Sequence, residues 1–253
     1  MANVKVMRAD VIKDYAGWGT KKNRVENSWS EGIAIKIKLI GCDSTKNEVC
    51  SLGNPETMDY EFLDFNYHGK PDLLHVRLQE IIDQSQDYDL IIMTYSRCSN
   101  VVVGLHSQRV PLLMPRTHDC ISLLLGSNER QLKLLKENPG TYYFSRGWLD
   151  HGRTPYAEYQ EYVDRFGQEK AADLIEMLYG SYNKAILIVT LGTKDIEKYR
   201  EKVRMIADFF GWDVGEEEGD LHLLTSLLKG STGQDTVYVE PGRTVTVDML
   251  AGG

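Results

Sequence analysis

Short apolar runs that stop abruptly at a turn punctuate this chain, and three of those turns carry a cysteine. Ile33–Ile40 leads into Gly41–Cys42, Leu90–Met93 into Tyr95–Asn100 with Cys98, and Val110–Met114 into the PRTHDC segment that ends at Cys120. Brief, unbroken apolar runs are the mark of strands buried on both faces, as in a parallel sheet. Between them lies helical periodicity. PDLLHVRLQEIIDQ (71–84) places Leu73, Leu74, Val76, Leu78, Ile81 and Ile82 on one helix face, with Pro71 and Asp72 at its start. Strands alternating with helices predict an α/β fold with a largely parallel sheet or sheets flanked by helices. In such a sheet the carboxyl ends of the strands line one edge, where ligands bind. Three thiols far apart in sequence are thereby expected in one crevice.

The same logic continues downstream without cysteines. CISLLLG (120–126) reads as the first turns of a helix, and Ser127 as the N-cap of a second over 128–137. PGTYYFSRGW supplies a turn, an aromatic strand and a glycine-hinged Trp148. Tyr156–Tyr179 is helical, Ala185–Leu191 is the plainest buried strand, Ile196–Phe210 is a helix, and GWDV opens a short strand. Asp220–Lys229 is a helix with Asp220 as its cap, and Val237–Glu240 is a last strand. The organisation predicted is an N-terminal extension (1–31), an α/β lobe carrying the cysteines (32–150) and a second α/β lobe (151–253), two Rossmann-like lobes in all.

Composition narrows the classes. A formal net charge of −8, with scattered Lys and Arg, argues against a broad nucleic-acid surface. No apolar run approaches the roughly 20 residues needed to span a bilayer, and MANVKVMRAD lacks the apolar core of a signal peptide. Four cysteines in 253 residues do not make a disulfide scaffold, so a reducing cytoplasm is expected. The phosphate loops GxGxxG and GxxxxGK[ST] and the G-x-S-x-G elbow are all absent from the sequence.

Free cysteine is often a small apolar filler. Here the shared position, just past a strand rather than inside it, favours a functional site. Cys42, Cys98 and Cys120 form a candidate metal centre; Cys50, in the polar stretch NEVCSLGNP, does not share the position. Three thiolates without an obvious fourth protein ligand suit an iron–sulfur cluster, [4Fe–4S] with one open iron, or a Zn2+ with an open position. His118 and Asp119 stand beside the third thiol as candidate catalytic residues. Cys120 at a helix start is expected to be thiolate-like. Arg97 and Arg116 flank the site as candidate anion-binding residues, and Tyr95 and Trp148 as aromatic walls for a small substrate. The other reading is a non-catalytic module in which Tyr95, Tyr142, Tyr143 and Trp148 surround a methylated amine or amino acid.

Residues 33 to 243 also resemble the DUF1638 family of bacteria and archaea. The resemblance is carried by Cys42, YSRCSN (95–100), PRTHDCISLLLGS (115–127), PGTYYFSRGW (139–148), GDLHLL with its following KG (219–230), and EPGR (240–243). Ser96, Arg97 and Ser99 replace the small or apolar residues of the family's YGLCGN-like turn. The resemblance implies a role in the one-carbon or methylamine metabolism of anaerobes, beside a corrinoid protein or a methyltransferase. A metal-dependent transferase or lyase acting on a small molecule, with several copies assembling, is compatible with it.

Overall fold

The computed structural model of the chain describes residues 35–54 and 56–251. The expected extension over 1–31, and the beginning of the run Ile33–Ile40, lie outside the described residues.

Each apolar run becomes a strand. β1 (Ile37–Cys42), β2 (Met58–Leu63), β3 (Leu90–Met93) and β4 (Leu112–Pro115) lie in the order β2-β1-β3-β4, all parallel. Parity along the strands divides the core between the two faces. Ile40, Cys42, Ile91, Met93, Leu112 and Met114 face one side, with Leu74, Leu78, Ile81 and Ile82 of a helix over Pro71–Gln84. Ile37, Leu39, Leu90, Ile92 and Leu113 face the other, with Leu223, Leu224, Leu227 and Leu228 of a helix over His222–Leu228. Burying each such side chain stabilises the fold by about 1.5–3 kcal/mol. This two-sided burial is why the runs read as unbroken rather than alternating.

The second sheet is wholly parallel: β5 (Thr141–Phe144), β6 (Lys184–Val189) and β7 (Asp213–Glu218), in the order β5-β6-β7. The last strand, β8 (Thr236–Val239), returns to the first sheet and pairs antiparallel with β4. Sheet membership therefore crosses residue 150 in both directions, since β5 begins before it and β8 lies after it.

The helices are α1 (Lys46–Leu52), α2 (Pro71–Gln84), α3 (Cys120–Leu125), α4 (Asn128–Glu137), α5 (Arg146–His151), α6 (Pro155–Phe166), α7 (Gln168–Tyr179), α8 (Ile196–Phe210), α9 (His222–Leu228) and α10 (Val247–Leu250). Ser127 caps α4, accepting from Arg130 N. Three details differ from the sequence reading. The helical region over 156–179 is two helices parted at Gly167. Asp220 precedes α9 rather than capping it directly, and its Oδ1 accepts from His222 N at 2.9 Å. Trp148 is not on a loose hinge but in α5, which starts where Ser145 Oγ accepts from Trp148 N at 3.2 Å. No helix among the described residues is long and apolar enough to cross a membrane.

Candidate thiol site

The turn that carries Cys42 is fixed from both sides of its peptide unit. Cys42 N donates to Thr94 Oγ1 at 3.3 Å, and Thr45 Oγ1 donates to Cys42 O at 3.0 Å. The two threonine hydroxyls meet at 2.9 Å, closing a buried clamp around the cysteine. Thr94 directly follows β3, so the clamp ties the end of β1 to the end of β3. At Gly41 a side chain would sit 2.8 Å from the Phe62 ring and 3.3 Å from Thr94 Oγ1, and only glycine lets the strand end lie this close. The Cys42 sulfur accepts from Ser44 N at 3.5 Å and caps the 3-10 turn over 43–45. The Tyr95 hydroxyl also bonds to it and favours its thiolate.

Cys98 is brought in by a continuation of the β3–β4 ladder. Arg97 N donates to Thr117 O at 3.2 Å and Cys98 N to His118 O at 3.1 Å. Those two bonds lay the 97–98 turn against the 117–118 turn, and Cys120 follows at once. Ser96 Oγ lies 3.5 Å from Cys98 Sγ. Cys98 keeps part of its surface, whereas Cys42 and Cys120 are buried.

The three thiols lie near enough to influence one another, but among the described residues they do not form a ready metal-ligand group. Each of Cys98 and Cys120 feels the charge of Cys42, Cys120 also feels Cys98, and the Ser44 hydroxyl favours the thiolates of both Cys42 and Cys120. Ser44 Oγ is wholly buried and has no partner at full hydrogen-bond geometry. Burial pushes all three thiols above the ordinary cysteine range, and the carboxylates Asp119 and Asp43 add to the rise. The expectation that Cys120 is thiolate-like is therefore overturned. The helix it opens has only six residues and Asp119 Oδ1 already accepts from its Ser122 N, while desolvation is the largest cause of the rise.

Asp119 is occupied as a cap. Its Oδ1 accepts from Ser122 N at 2.9 Å, and Gln131 Nε2 donates to both oxygens at 3.2 and 3.1 Å. The backbone N–H of His118 donates to Asn128 Oδ1 at 2.8 Å rather than into the crevice. Arg97 is exposed and reaches Asn100 Oδ1 at 3.4 Å, and Arg116 is half-buried with its carbonyl taken by Asn128 Nδ2 at 2.8 Å. Neither arginine ranks among the charges that act most strongly on the thiols.

Aromatic residues wall the site on one side. Trp148 packs against the core that holds Cys42, Phe65 and Tyr95, its ring edge-on to Phe65 at 4.7 Å and to His68 at 5.7 Å. His68 stacks on Phe65 at 4.7 Å, and desolvation lowers its pKa against the opposing pull of Asp119. It keeps an exposed edge, so its crowding is one-sided. His68 has no ligand-like spacing in sequence; the signal for it is that it follows β2, the neighbour of β1, at the same sheet edge. Tyr142 instead packs in the second lobe with Tyr182 and Trp212, and Tyr143 lies against the cluster of Cys120 and Ile188.

The second lobe closes over this edge. α5 rests on the Cys42 turn through Gly147, whose α-carbon faces the Ser44 backbone. Glu48 of α1, only 3% exposed, meets Thr190 Oγ1 at the end of β6 at 2.9 Å. Its second oxygen has no partner among the described residues. Sequence reasoning missed Glu48, which sits in a stretch that looks like surface.

Fold and edge together define an α/β protein with three cysteines at or beyond the carboxyl ends of parallel strands in a mostly parallel sheet. A family model described as a protein of unknown function (DUF1638) matches residues 62–228, about two thirds of the chain, and the chain belongs to that family. No curated protein and no solved structure matches it.

Proposed function

We propose that Cys42, Cys98 and Cys120 hold a soft metal centre, an iron–sulfur cluster with one open iron or a Zn2+ with an open position. What supports this reading is that three thiols from three strand ends lie near enough to influence one another, with the carboxylates Asp43 and Asp119 adding to their rise. Thiolates are the ligands that soft metals prefer, and such surroundings favour a cation over an anion. Among the described residues no three His, Cys, Asp or Glu side chains stand ready to hold a metal ion as they are. The proposal therefore includes a closing of the 42–45, 97–98 and 118–120 turns around the metal. The donor set fits: three sulfurs, with the Ser44 hydroxyl without a full partner beside two of them and the Tyr95 hydroxyl beside Cys42.

When bound, a centre with an open position supplies a Lewis acid or redox site for a small substrate. On this reading the protein is a metal-dependent transferase or lyase, with Trp148 and Tyr95 walling the substrate. His118 and Asp119 act from the third turn, and Arg97 and Arg116 stand at the rim. The resemblance to DUF1638 adds the setting: one-carbon or methylamine metabolism, beside a corrinoid protein or methyltransferase, in the cytoplasm. The test is purification without oxygen, under reduction, followed by iron, sulfide and zinc analysis. Near-stoichiometric zinc, or iron with sulfide, is expected; a protein lacking all three overturns the proposal.

A second reading rests on the aromatic wall of Phe65, His68 and Trp148 in the neighbourhood of the thiols and Asp119, which suits a methylated ammonium. Thermal shift with methylamines and betaines tests it. A ligand at 100 times its Kd adds about 2.7 kcal/mol, and no shift with any of them removes this reading.

A further inference from the structure

Glu48 lies outside the thiol site but on the seam that covers it. Its carboxyl is almost wholly buried, and around it the side-chain oxygens form a short chain. Glu48 Oε1 stands 2.9 Å from Thr190 Oγ1, Thr190 Oγ1 stands 3.1 Å from Thr193 Oγ1, and Thr193 Oγ1 stands 2.8 Å from Thr190 O. Each contact needs one proton. The two threonines supply two. If Glu48 is ionised, three contacts share two protons, and one pair of oxygens faces lone pair to lone pair. If Glu48 is a carboxylic acid, its O–H donates to Thr190, Thr190 to Thr193, and Thr193 to the Thr190 carbonyl, so every contact is satisfied. Glu48 Oε2 is then an unpaired carbonyl oxygen rather than an unpaired charge, the milder deficit in a buried place.

We propose that Glu48 is held as a neutral acid, and that its ionisation unlatches the two lobes over the thiol edge. The latch joins α1, one turn beyond the Cys42–Thr45 segment, to the end of β6, and Gly147 on Ser44 closes the same seam. The charged groups on the surrounding elements are few. Asp43 and Lys46 pair with each other at 3.4 Å. Lys194, Asp195 and His222 are exposed. Arg146 of α5 is the charge that acts on Glu48, and it is shared with Asp150 at 3.6 Å. Burial outweighs it and raises the Glu48 pKa, in agreement with the proton count. The inference does not depend on whether the thiols bind a metal.

The direction of the switch follows from that rise. A carboxyl whose pKa is higher folded than unfolded contributes stability that is fully present below its unfolded pKa and is lost as pH rises through the folded value. The latch is therefore closed at acid pH and released at alkaline pH, the reverse of an ordinary surface ion pair. The experiment is hydrogen exchange of the full chain, corrected for intrinsic rates, from pH 5 to 9. Segments 43–52 and 189–195 are expected to lose protection together, by at most about tenfold per pH unit as pH rises from the unfolded to the folded pKa of Glu48, and to level off above it. In Glu48→Gln, whose amide N–H replaces the acid O–H, protection is expected to vary less than about twofold over the same range. Infrared spectroscopy of the wild type supplies a check that needs no folded variant: a protonated carboxylic acid band at neutral pH. Protection independent of pH in the wild type, the same fall in Glu48→Gln, or no such band overturns the proposal.

Discussion

A side-chain carbon at Gly147 would overlap the carbonyl of Ser44 and stand only 2.8 Å from Ser44 Cα, so the second lobe rests backbone against backbone on the turn that carries Cys42. Gly147→Ala is expected to cost about 1–3 kcal/mol, the usual price of overpacking a fitted seam. Gly69→Ala, where a methyl group would meet nothing within 4 Å, is expected to stay within about 0.5 kcal/mol of the wild type. Urea unfolding of both variants decides it, and equal costs would show that the seam yields.

The threonine clamp makes a separate prediction. Thr94→Val keeps the shape but leaves the buried Cys42 N–H and the Thr45 hydroxyl without their shared partner. A loss of about 1–3 kcal/mol is expected, while Thr94→Ser is expected to restore most of it. If valine is as stable as serine, the hydroxyl at 94 does not hold the cysteine.

Metal content separates the four cysteines. Cys42→Ser, Cys98→Ser and Cys120→Ser are each expected to lose most of the bound metal, and Cys50→Ser, exposed on α1, to retain it. His118→Ala sorts the histidine: lost metal makes it a ligand, whereas retained metal with altered spectra makes it a neighbour of the centre. Equal metal in all four cysteine variants would break the assignment.

The raised thiols set two opposite pH trends. In the metal-free protein they favour the protonated fold, so that stability is present below the unfolded thiol pKa of about 8.5 and is lost as pH rises through the higher folded values. Metal uptake runs the other way, because each thiol gives up a proton to bind, and apparent affinity should rise by about tenfold per pH unit for every proton released. Chelator competition between pH 6 and 8 measures the slope. A flat profile would mean that no thiol deprotonates on binding.

How much of this was legible beforehand depends on the range of the forces involved. α2 over 71–84 and α8 over 196–210 match the residues read from periodicity, because amphipathic spacing is a local property. The position of Cys98 and Cys120 past strand ends was likewise readable from apolar runs, whereas Cys42 is the last paired residue of β1 rather than a residue just beyond it. The helix around Trp148 was not, since its start depends on Ser145 capping an otherwise unremarkable glycine-containing segment. Glu48 was hidden for a different reason: NEVCSLGNP is polar, and the carboxyl's partner, Thr190, and the charge that acts on it, Arg146, lie far along the chain. The fate of Cys120 turned on a competition between dipole and desolvation that sequence does not weigh. His68 has no ligand-like spacing along the chain, and its place shows only across the ends of neighbouring strands.

The return of β8 to the first sheet also has a consequence for biosynthesis. The ribosome delivers β1 to β4 first, then the entire second sheet, and only afterwards the strand that covers the flank of β4. Until Thr236–Val239 emerges, the backbone of Leu112–Pro115 has an open side, and a strand left open in this way invites pairing with another chain. A nascent chain stalled before residue 236 would be a sticky, half-built sheet, so chaperone demand should peak late in synthesis, after most of the protein has already been made.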